Sequence, residues 1–195
     1  MARKFNPEFA HVLHNPARWW HEPPERLVFL LDPREGSRVI EVGVGTGYFL
    51  LHLARMYPEV EFVGTDVQEE MLEIVRGRAR GLRNVKVVES EETRIPLRDG
   101  CADAVLLAHV FHELEDPDAT MGEVMRVLRP RGRVVIVDWK PVPTPFGPPL
   151  EERIPSGKVI RTLTKIGFMG VREYDLYTYH YVVAGVKGKV ASPSV

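Results

Sequence analysis

Short apolar segments alternate with helical patterns along most of this 195-residue chain. Wholly apolar strands that alternate with helices predict a parallel sheet with helices on both faces. The predicted strands of this part are residues 39–42, 60–65, 85–88, 104–108 and 134–137. The predicted helices are residues 47–56, 69–79, 117–128 and 155–166, where apolar side chains recur at helical spacing.

The end of the chain breaks this alternation. Residues 171–176 and 180–186 read as two strands joined by a short connection. A short connection suits an antiparallel hairpin, because parallel neighbours need a longer crossover. The sequence therefore predicts an α/β fold with a doubly wound, mostly parallel seven-stranded sheet and a C-terminal antiparallel hairpin. We expect one domain over residues 1–195, in which residues 1–31 form an N-terminal lid or arm and a helix.

Three glycines follow the first predicted strand in VIEVGVGTGYF, residues 39–49. Gly43, Gly45 and Gly47 stand at the carboxyl end of that strand, where open α/β sheets bind ligands. Glycine there lets the backbone approach a ligand or adopt a positive φ, although a tight turn alone would also use it. Asp66 ends the second strand and is suited to bind the hydroxyls of a ribose. Its alternative role is a helix N-cap.

The glycine spacing argues against a dinucleotide. The dinucleotide fingerprint is Gly-x-Gly-x-x-Gly, whereas Tyr48 stands where that pattern needs its last glycine. Glu41 precedes the glycines, and its charge would repel a pyrophosphate. The same carboxylate would suit a ligand that carries an ammonium group.

These segments resemble class I S-adenosylmethionine (SAM) methyltransferases. VIEVGVGTGYF is similar to motif I of that family, and FVGTDVQEEML is similar to its second-strand segment. The segments after them, ESEETRIPLRDGCADAVLLAHVF and EVMRVLRPRGRVVIVDWK, also match, although Arg131 replaces a usual glycine. The resemblance covers residues 24–187 and is strongest to the type 11 group, which includes ubiquinone/menaquinone-biosynthesis methyltransferases. It implies a Rossmann-like fold, with SAM as cofactor and S-adenosylhomocysteine as product.

The resemblance also implies the residues that contact the cofactor. Glycines 43, 45 and 47 would lie against the methionine part of SAM, and Glu41 would pair with its ammonium. Asp66 would hold the ribose. The remaining implied contacts are Val67 beside the adenine, Glu91 at the adenine amino group, the Glu92 backbone at the ring, and Ala108 and His109 near the sulfonium.

Several side chains are candidates to face the methyl acceptor. His109 and His112 follow the fourth strand, where a histidine suits a general base, and we predict His109 as the catalytic group. Capping or packing is the alternative for both. Asp138 and Trp139 end the fifth strand. Trp19 belongs to an N-terminal segment rich in aromatic residues and histidine, which is expected to act as a lid; a docked arm or a dimer contact is the alternative.

Other functions are disfavoured by what the sequence lacks. A formal net charge of −1 and the absence of a basic stripe argue against nucleic-acid binding. No apolar run reaches the ~20 residues that span a bilayer, so we expect no membrane insertion. The single cysteine and the absence of an apolar leader favour the cytoplasm. The segments NPARWWHEPPERL and GPPLEERI resemble a prokaryotic subgroup of the family. Without HExxH or paired cysteines, the sequence predicts no metal site.

The sequence thus predicts an enzyme that transfers a methyl group from SAM to a small-molecule acceptor. A non-catalytic SAM-binding scaffold is the alternative, and an NAD-dependent dehydrogenase is a weaker one. The sequence does not fix the oligomeric state; a homodimer is one option.

Overall fold

A computed structural model describes residues 5, 6, 8, 10, 13 and 18–188. The described residues form these strands: β1 (Arg38–Val42), β2 (Glu61–Asp66), β3 (Val85–Glu89), β4 (Ala102–Ala108), β5 (Leu128–Trp139), β6 (Phe168–Tyr174) and β7 (His180–Lys187). Their α-helices are α1 (Arg18–His21), α2 (Val28–Leu31), α3 (Tyr48–Met56), α4 (Glu69–Arg78), α5 (Pro117–Val127) and α6 (Ser156–Ile166). Short 3-10 helices cover Pro24–Leu27, Phe111–Glu113 and Leu150–Glu152.

All of these strands join one sheet in the order β3-β2-β1-β4-β5-β7-β6. The pairs from β3 to β5 are parallel, whereas β7 runs antiparallel to both β5 and β6. The predicted fold class is therefore confirmed, including the antiparallel hairpin. Its second strand, β7, lies inside the sheet, and β6 forms the edge.

The core consists of two apolar layers, one on each face of the sheet. Successive strand residues point to opposite faces, so Val39 belongs to the first layer and Ile40 to the second. The first layer packs against α2, α3 and α4, and the second against α5 and α6. Helices on both faces leave the ends of the parallel strands as the place for a site.

Two strand predictions differ from the structure. β5 begins at Leu128 rather than at residue 134, because Leu128 already pairs with Ala102 before the register shifts. β3 is only partly buried, since it is the other edge of the sheet and has a neighbour on one side only. Strands that are buried along most of their length are thus confined to the inner part of the sheet.

Candidate functional site

A cavity of about 550 Å³ opens at the carboxyl ends of β1, β2 and β4. It spans the point where β1 pairs with β2 on one side and with β4 on the other, so the strand order reverses there. Such a switch point leaves a crevice between the loops that leave the two central strands. The sheet topology therefore places the glycine turn, the end of β2 and the residues after β4 around one cavity.

The glycine turn after β1 has a backbone that needs glycine. Gly43, Gly45 and Gly47 have φ values of 68°, 50° and 77°, in the left-handed region that other residues rarely adopt. A Cβ at Gly43 would lie 2.4 Å from Val110 Cγ2. Gly43 and Gly45 line the cavity, while Gly47 begins α3, where a Cβ would lie 2.9 Å from Leu51 Cδ1. The first two glycines bring the backbone to the cavity, and the third allows the turn into the helix.

Asp66 joins β2 to the glycine turn. Its Oδ2 accepts a hydrogen bond from the Gly45 N–H at 2.8 Å, and its Oδ1 accepts one from the Gln68 N–H at 3.1 Å. Both Asp66 and Val67 line the cavity. The carboxylate is thus fixed at the site predicted for a ribose, and the N-cap of α4 is Gln68 rather than Asp66.

Glu41 is a buried carboxyl group at the cavity wall. It is 3% exposed, and its Oε2 has no hydrogen-bond partner among the described residues. Burial, with a smaller contribution from the charge of Asp66, raises the pKa of Glu41 to about 8, although a hydrogen bond from the Leu50 backbone and the charge of Arg18 oppose the shift. An unpaired carboxyl group in this position is stabilised by a cationic ligand group.

The residues predicted at the adenine, Val67, Glu91 and Glu92, line the same cavity, and so does Ala108, which is predicted near the sulfonium. The carboxylate of Glu92 accepts hydrogen bonds from the Glu115 and Asp116 N–H groups at 2.7 and 3.0 Å. That side chain therefore points to the start of α5, and the backbone carbonyl of Glu92 accepts a hydrogen bond from Thr120 Oγ1 at 3.2 Å.

His109 lies in a charged cluster that the sequence analysis missed. Its Nε2 is 2.6 Å from Oε2 of Glu22, whose Oε1 accepts a hydrogen bond from Arg18 Nε at 2.5 Å. Burial would raise the pKa of Glu22, but the charge and hydrogen bond of His109, with Arg18, hold it well below its usual range. His109 Nδ1 is buried, so neither ring nitrogen is open to the cavity. Nothing in the sequence around Glu22 predicted a place in the site, apart from the aromatic residues that precede it.

His180, at the start of β7, stands behind this pair. Its Nδ1 is 3.9 Å from Glu22 Oε2, and its ring centroid is 4.6 Å from that of His109. Burial, with the charge of His109, lowers the pKa of His180 to about 2. His180 is therefore a neutral imidazole, and nothing in its sequence context pointed to the site.

His112 forms a second histidine–carboxylate pair. Its Nδ1 lies 2.8 Å from Asp138 Oδ1, and its backbone N–H donates to Asp138 Oδ2 at 3.0 Å. Burial opposes the charged imidazole, but the hydrogen bond and charge of Asp138 raise the pKa of His112 overall. His112 lines the cavity, whereas Asp138 is 1% exposed and is not among the described lining residues. Asp138 thus contacts His112 rather than facing the cavity.

Aromatic side chains and a fixed loop enclose the cavity beyond β5. Trp139 and Phe146 both line it, with ring centroids 5.9 Å apart. The loop carrying Phe146 is held by Arg153, which is buried and donates to the carbonyls of Val142 at 2.7 Å and Pro148 at 3.0 Å. Because its guanidinium is engaged by the loop, Arg153 is not positioned to clamp an anionic substrate.

The N-terminal segment contributes part of the cavity wall. Arg18 and His21 of α1 line the cavity, but Trp19 is 41% exposed and packs edge-on against His52, with centroids 4.4 Å apart. One turn of helix points these side chains in different directions, and the structure places Trp19 outside the cavity. Phe5 also lines it, and its N–H donates to Glu113 at 3.2 Å. The predicted lid residues His11 and His14 lie outside the described residues.

Comparisons with known proteins agree with this geometry. A family described as a methyltransferase domain matches residues 40–136. A crystal structure of a SAM dependent methyltransferase from Aquifex aeolicus superposes with a TM-score of 0.89 at 34% identity, covering 94% of this chain and 100% of that one. The chain belongs to the SAM-dependent methyltransferases.

Named relatives from bacteria are longer than this chain. A demethylmenaquinone methyltransferase from Thermus thermophilus is 37% identical over 120 residues, 60% of this chain and 54% of the relative. A ubiquinone/menaquinone biosynthesis C-methyltransferase from Pasteurella multocida is 28% identical over 151 residues, 75% of this chain and 54% of the relative. The chain therefore spans about half the length of these relatives. No described helix is both long and apolar enough to cross a membrane.

The residues present fit SAM. The unpaired Oε2 of Glu41 is a buried acceptor at the wall where an ammonium would lie. The backbone at Gly45 is open towards the cavity, because a Cβ there would meet, among the described residues, only Leu13, at 3.8 Å. Asp66 supplies a fixed carboxylate beside that glycine.

Proposed function

We propose that this chain transfers a methyl group from SAM to a small-molecule acceptor. The observation that carries the proposal is the meeting of Glu41, whose buried Oε2 has no described partner, with the glycine turn and Asp66 around one cavity. Each feature matches one part of SAM. Glu41 suits the ammonium, the glycine turn lets the backbone lie close to the methionine part, and Asp66 suits the ribose.

The chain's own residues provide the cofactor contacts. Glu41 binds the ammonium, and Gly43 and Gly45 let the backbone lie against the methionine part. Asp66 accepts hydrogen bonds from the ribose hydroxyls. The adenine lies between Val67, Glu91 and the backbone of Glu92, all of which line the cavity. When bound, SAM supplies an electrophilic methyl group on its sulfonium, near Ala108 and His109.

The acceptor end of the cavity suits a flat, largely apolar molecule. Phe49, Trp139 and Phe146 line it, and such aromatic walls favour an aromatic ring in the acceptor. The relatives named for demethylmenaquinone support an acceptor of the same chemical class, a quinone or its reduced form, in which an aromatic ring bears hydroxyl oxygens. The residues around it hold the acceptor in line with the methyl group and exclude water, which accounts for much of the rate.

The proton acceptor is assigned to His112 rather than to His109, the residue favoured by sequence. His109 has one nitrogen bound to Glu22 and the other buried. His112 has Nδ1 held by Asp138, and its other ring nitrogen, Nε2, lies 3.8 Å from Glu113 Oε1 in a cavity-lining side chain. This arrangement fixes the tautomer and orients the ring, as a carboxylate does for a catalytic histidine.

The remaining proposals concern the whole chain. Residues 1–195 act as one domain, and residues 1–31 cover the site, as the contact of Phe5 with Glu113 supports. The enzyme is a cytoplasmic, prokaryotic protein that does not act on nucleic acid, in keeping with its charge and its bacterial relatives.

Calorimetric titration with SAM, S-adenosylhomocysteine and NADH tests the cofactor. We expect micromolar binding of the first two and none of NADH. D66A should weaken SAM binding strongly while the thermal unfolding transition is retained. NADH binding alone would favour the dehydrogenase. SAM binding without turnover across a panel of hydroxylated aromatic acceptors would favour the scaffold.

A further inference from the structure

Three metal-ligating side chains meet beside the cavity from distant parts of the chain. Glu22 follows α1, His109 follows β4 and His180 begins β7. Each offers one donor atom, and the three donors lie within 4.8 Å of one another. The cluster lies at the acceptor end, since the His109 and His180 rings are 5.4 and 4.2 Å from the Trp139 ring.

His180 is the unusual member of this cluster. It is 1% exposed, and neither ring nitrogen has a hydrogen-bond partner among the described residues. Leaving a buried polar group unpaired costs about 1–3 kcal/mol. His109 Nδ1 is also buried and without a described partner. A neutral imidazole is the form that binds metal ions.

The donor spacing is close to that of a bound metal. Ligands about 2.0–2.1 Å from a common zinc ion lie roughly 3–3.4 Å from one another. Here Glu22 Oε2 is 2.6 Å from His109 Nε2 and 3.9 Å from His180 Nδ1. Small side-chain rotations would lengthen the distance from Glu22 to His109 and shorten the distance from Glu22 to His180, with no change in the strands.

We propose that Glu22, His109 and His180 bind one divalent transition-metal ion. Two imidazoles and one carboxylate suit Zn²⁺, Fe²⁺ or Co²⁺ rather than Mg²⁺ or Ca²⁺, which prefer oxygen donors alone. Arg18 holds the second oxygen of Glu22, the outer contact that orients a ligating carboxylate. The sequence predicted no metal site because these three ligands are far apart along the chain and form no local motif.

The position of the proposed ion beside the acceptor end suggests a role in binding the acceptor. Glu22 and His109 line the cavity while His180 lies behind them, so the ion would lie at the cavity wall, beside the acceptor end. An oxygen of the acceptor would bind there, and a divalent ion lowers the pKa of a bound hydroxyl. This use rests on the proposed function, whereas metal binding itself does not.

Metal titration of the full, tag-free chain after chelator treatment tests the site. We expect calorimetry with Zn²⁺ to give one ion per chain, and Co²⁺ to give a visible absorption band with the same stoichiometry. H180Q and E22Q should each weaken Zn²⁺ binding by more than about 100-fold, beyond the 10–100-fold of a lost outer contact. H52Q is the matched control, because His52 also faces a glutamate, Glu25, at 2.9 Å but outside the cluster.

Two results would overturn the metal site. One is a wild-type protein that binds no Zn²⁺ or Co²⁺ at micromolar concentration, a result that needs no variant to fold. The other is equal Zn²⁺ affinity in H180Q and the wild type when both give native circular dichroism. SAM binding, measured on the same samples, separates the proposals: loss of the metal site leaves the cofactor site standing, and the reverse also holds.

Discussion

The buried carboxyl of Glu41 makes stability depend on pH in a direction that can be worked out. Its pKa is raised from 4.5 to about 8, chiefly by burial. Between these values the folded protein keeps a proton that the unfolded chain has lost. The folded state binds more protons, so the free energy of unfolding falls as pH rises through this range and levels off above pH 8.

The size of the effect follows from the pKa difference. Each pKa unit corresponds to about 1.4 kcal/mol, so the full loss for Glu41 is about 5 kcal/mol, of which about 3 kcal/mol falls between pH 5 and 7.5. E41Q has no proton to lose. The variant should therefore gain about 3 kcal/mol over the wild type as pH rises from 5 to 7.5.

Urea denaturation of the ligand-free proteins at both pH values measures this difference. His112 and Glu113, whose pKa values are raised, and His180, whose pKa is lowered, contribute to both proteins and cancel in the comparison. E89Q removes an exposed carboxylate at the end of β3 and controls for loss of one charge. Parallel pH profiles for the wild type and E41Q would refute the reasoning.

The same group should couple cofactor binding to proton release. An ammonium beside Glu41 favours its ionised form, so binding of S-adenosylhomocysteine at pH 7 should release about 0.9 proton from this carboxyl. Calorimetry in phosphate and in Tris, which differ in ionisation enthalpy, measures the protons released. The release should disappear in E41Q; an unchanged value would separate Glu41 from the ammonium site.

Four further substitutions test other parts of the structure. H112Q should lower kcat by about 10²–10⁴-fold with the Kd for SAM nearly unchanged; intact turnover would contradict its role as base. Arg131 has a φ of 68°, so R131G should raise the free energy of unfolding by about 0.5–1 kcal/mol in urea denaturation, whereas G132A should lower it, since its Cβ would lie 2.8 Å from Arg129 O. R153K cannot reach the same carbonyls, so proteolysis within residues 140–152 should be faster and the KM for the acceptor higher; equal cleavage of wild type and variant would refute this.

Some residues of the candidate site could be predicted from their own segment of the sequence, and others could not. Glu41, the three glycines and Asp66 were predicted because each stands at the end of a strand recognisable from its own residues. By contrast, Asp138 and Trp139 were both predicted to face the acceptor. Neighbouring residues of a strand point to opposite faces, and only the structure shows that Trp139 lines the cavity while Asp138 holds His112.

The sequence by itself determined the architecture and the cofactor end of the site. Hydrophobic periodicity defined the strands and helices, and the parallel order brings their carboxyl ends together. Only the tertiary structure decided the acceptor end. Glu22, His109 and His180 come from segments far apart in the chain, and no local pattern encodes their meeting. It depends on β7 pairing with β5 and on α1 folding back over the sheet, contacts that exist only when the whole sheet is formed.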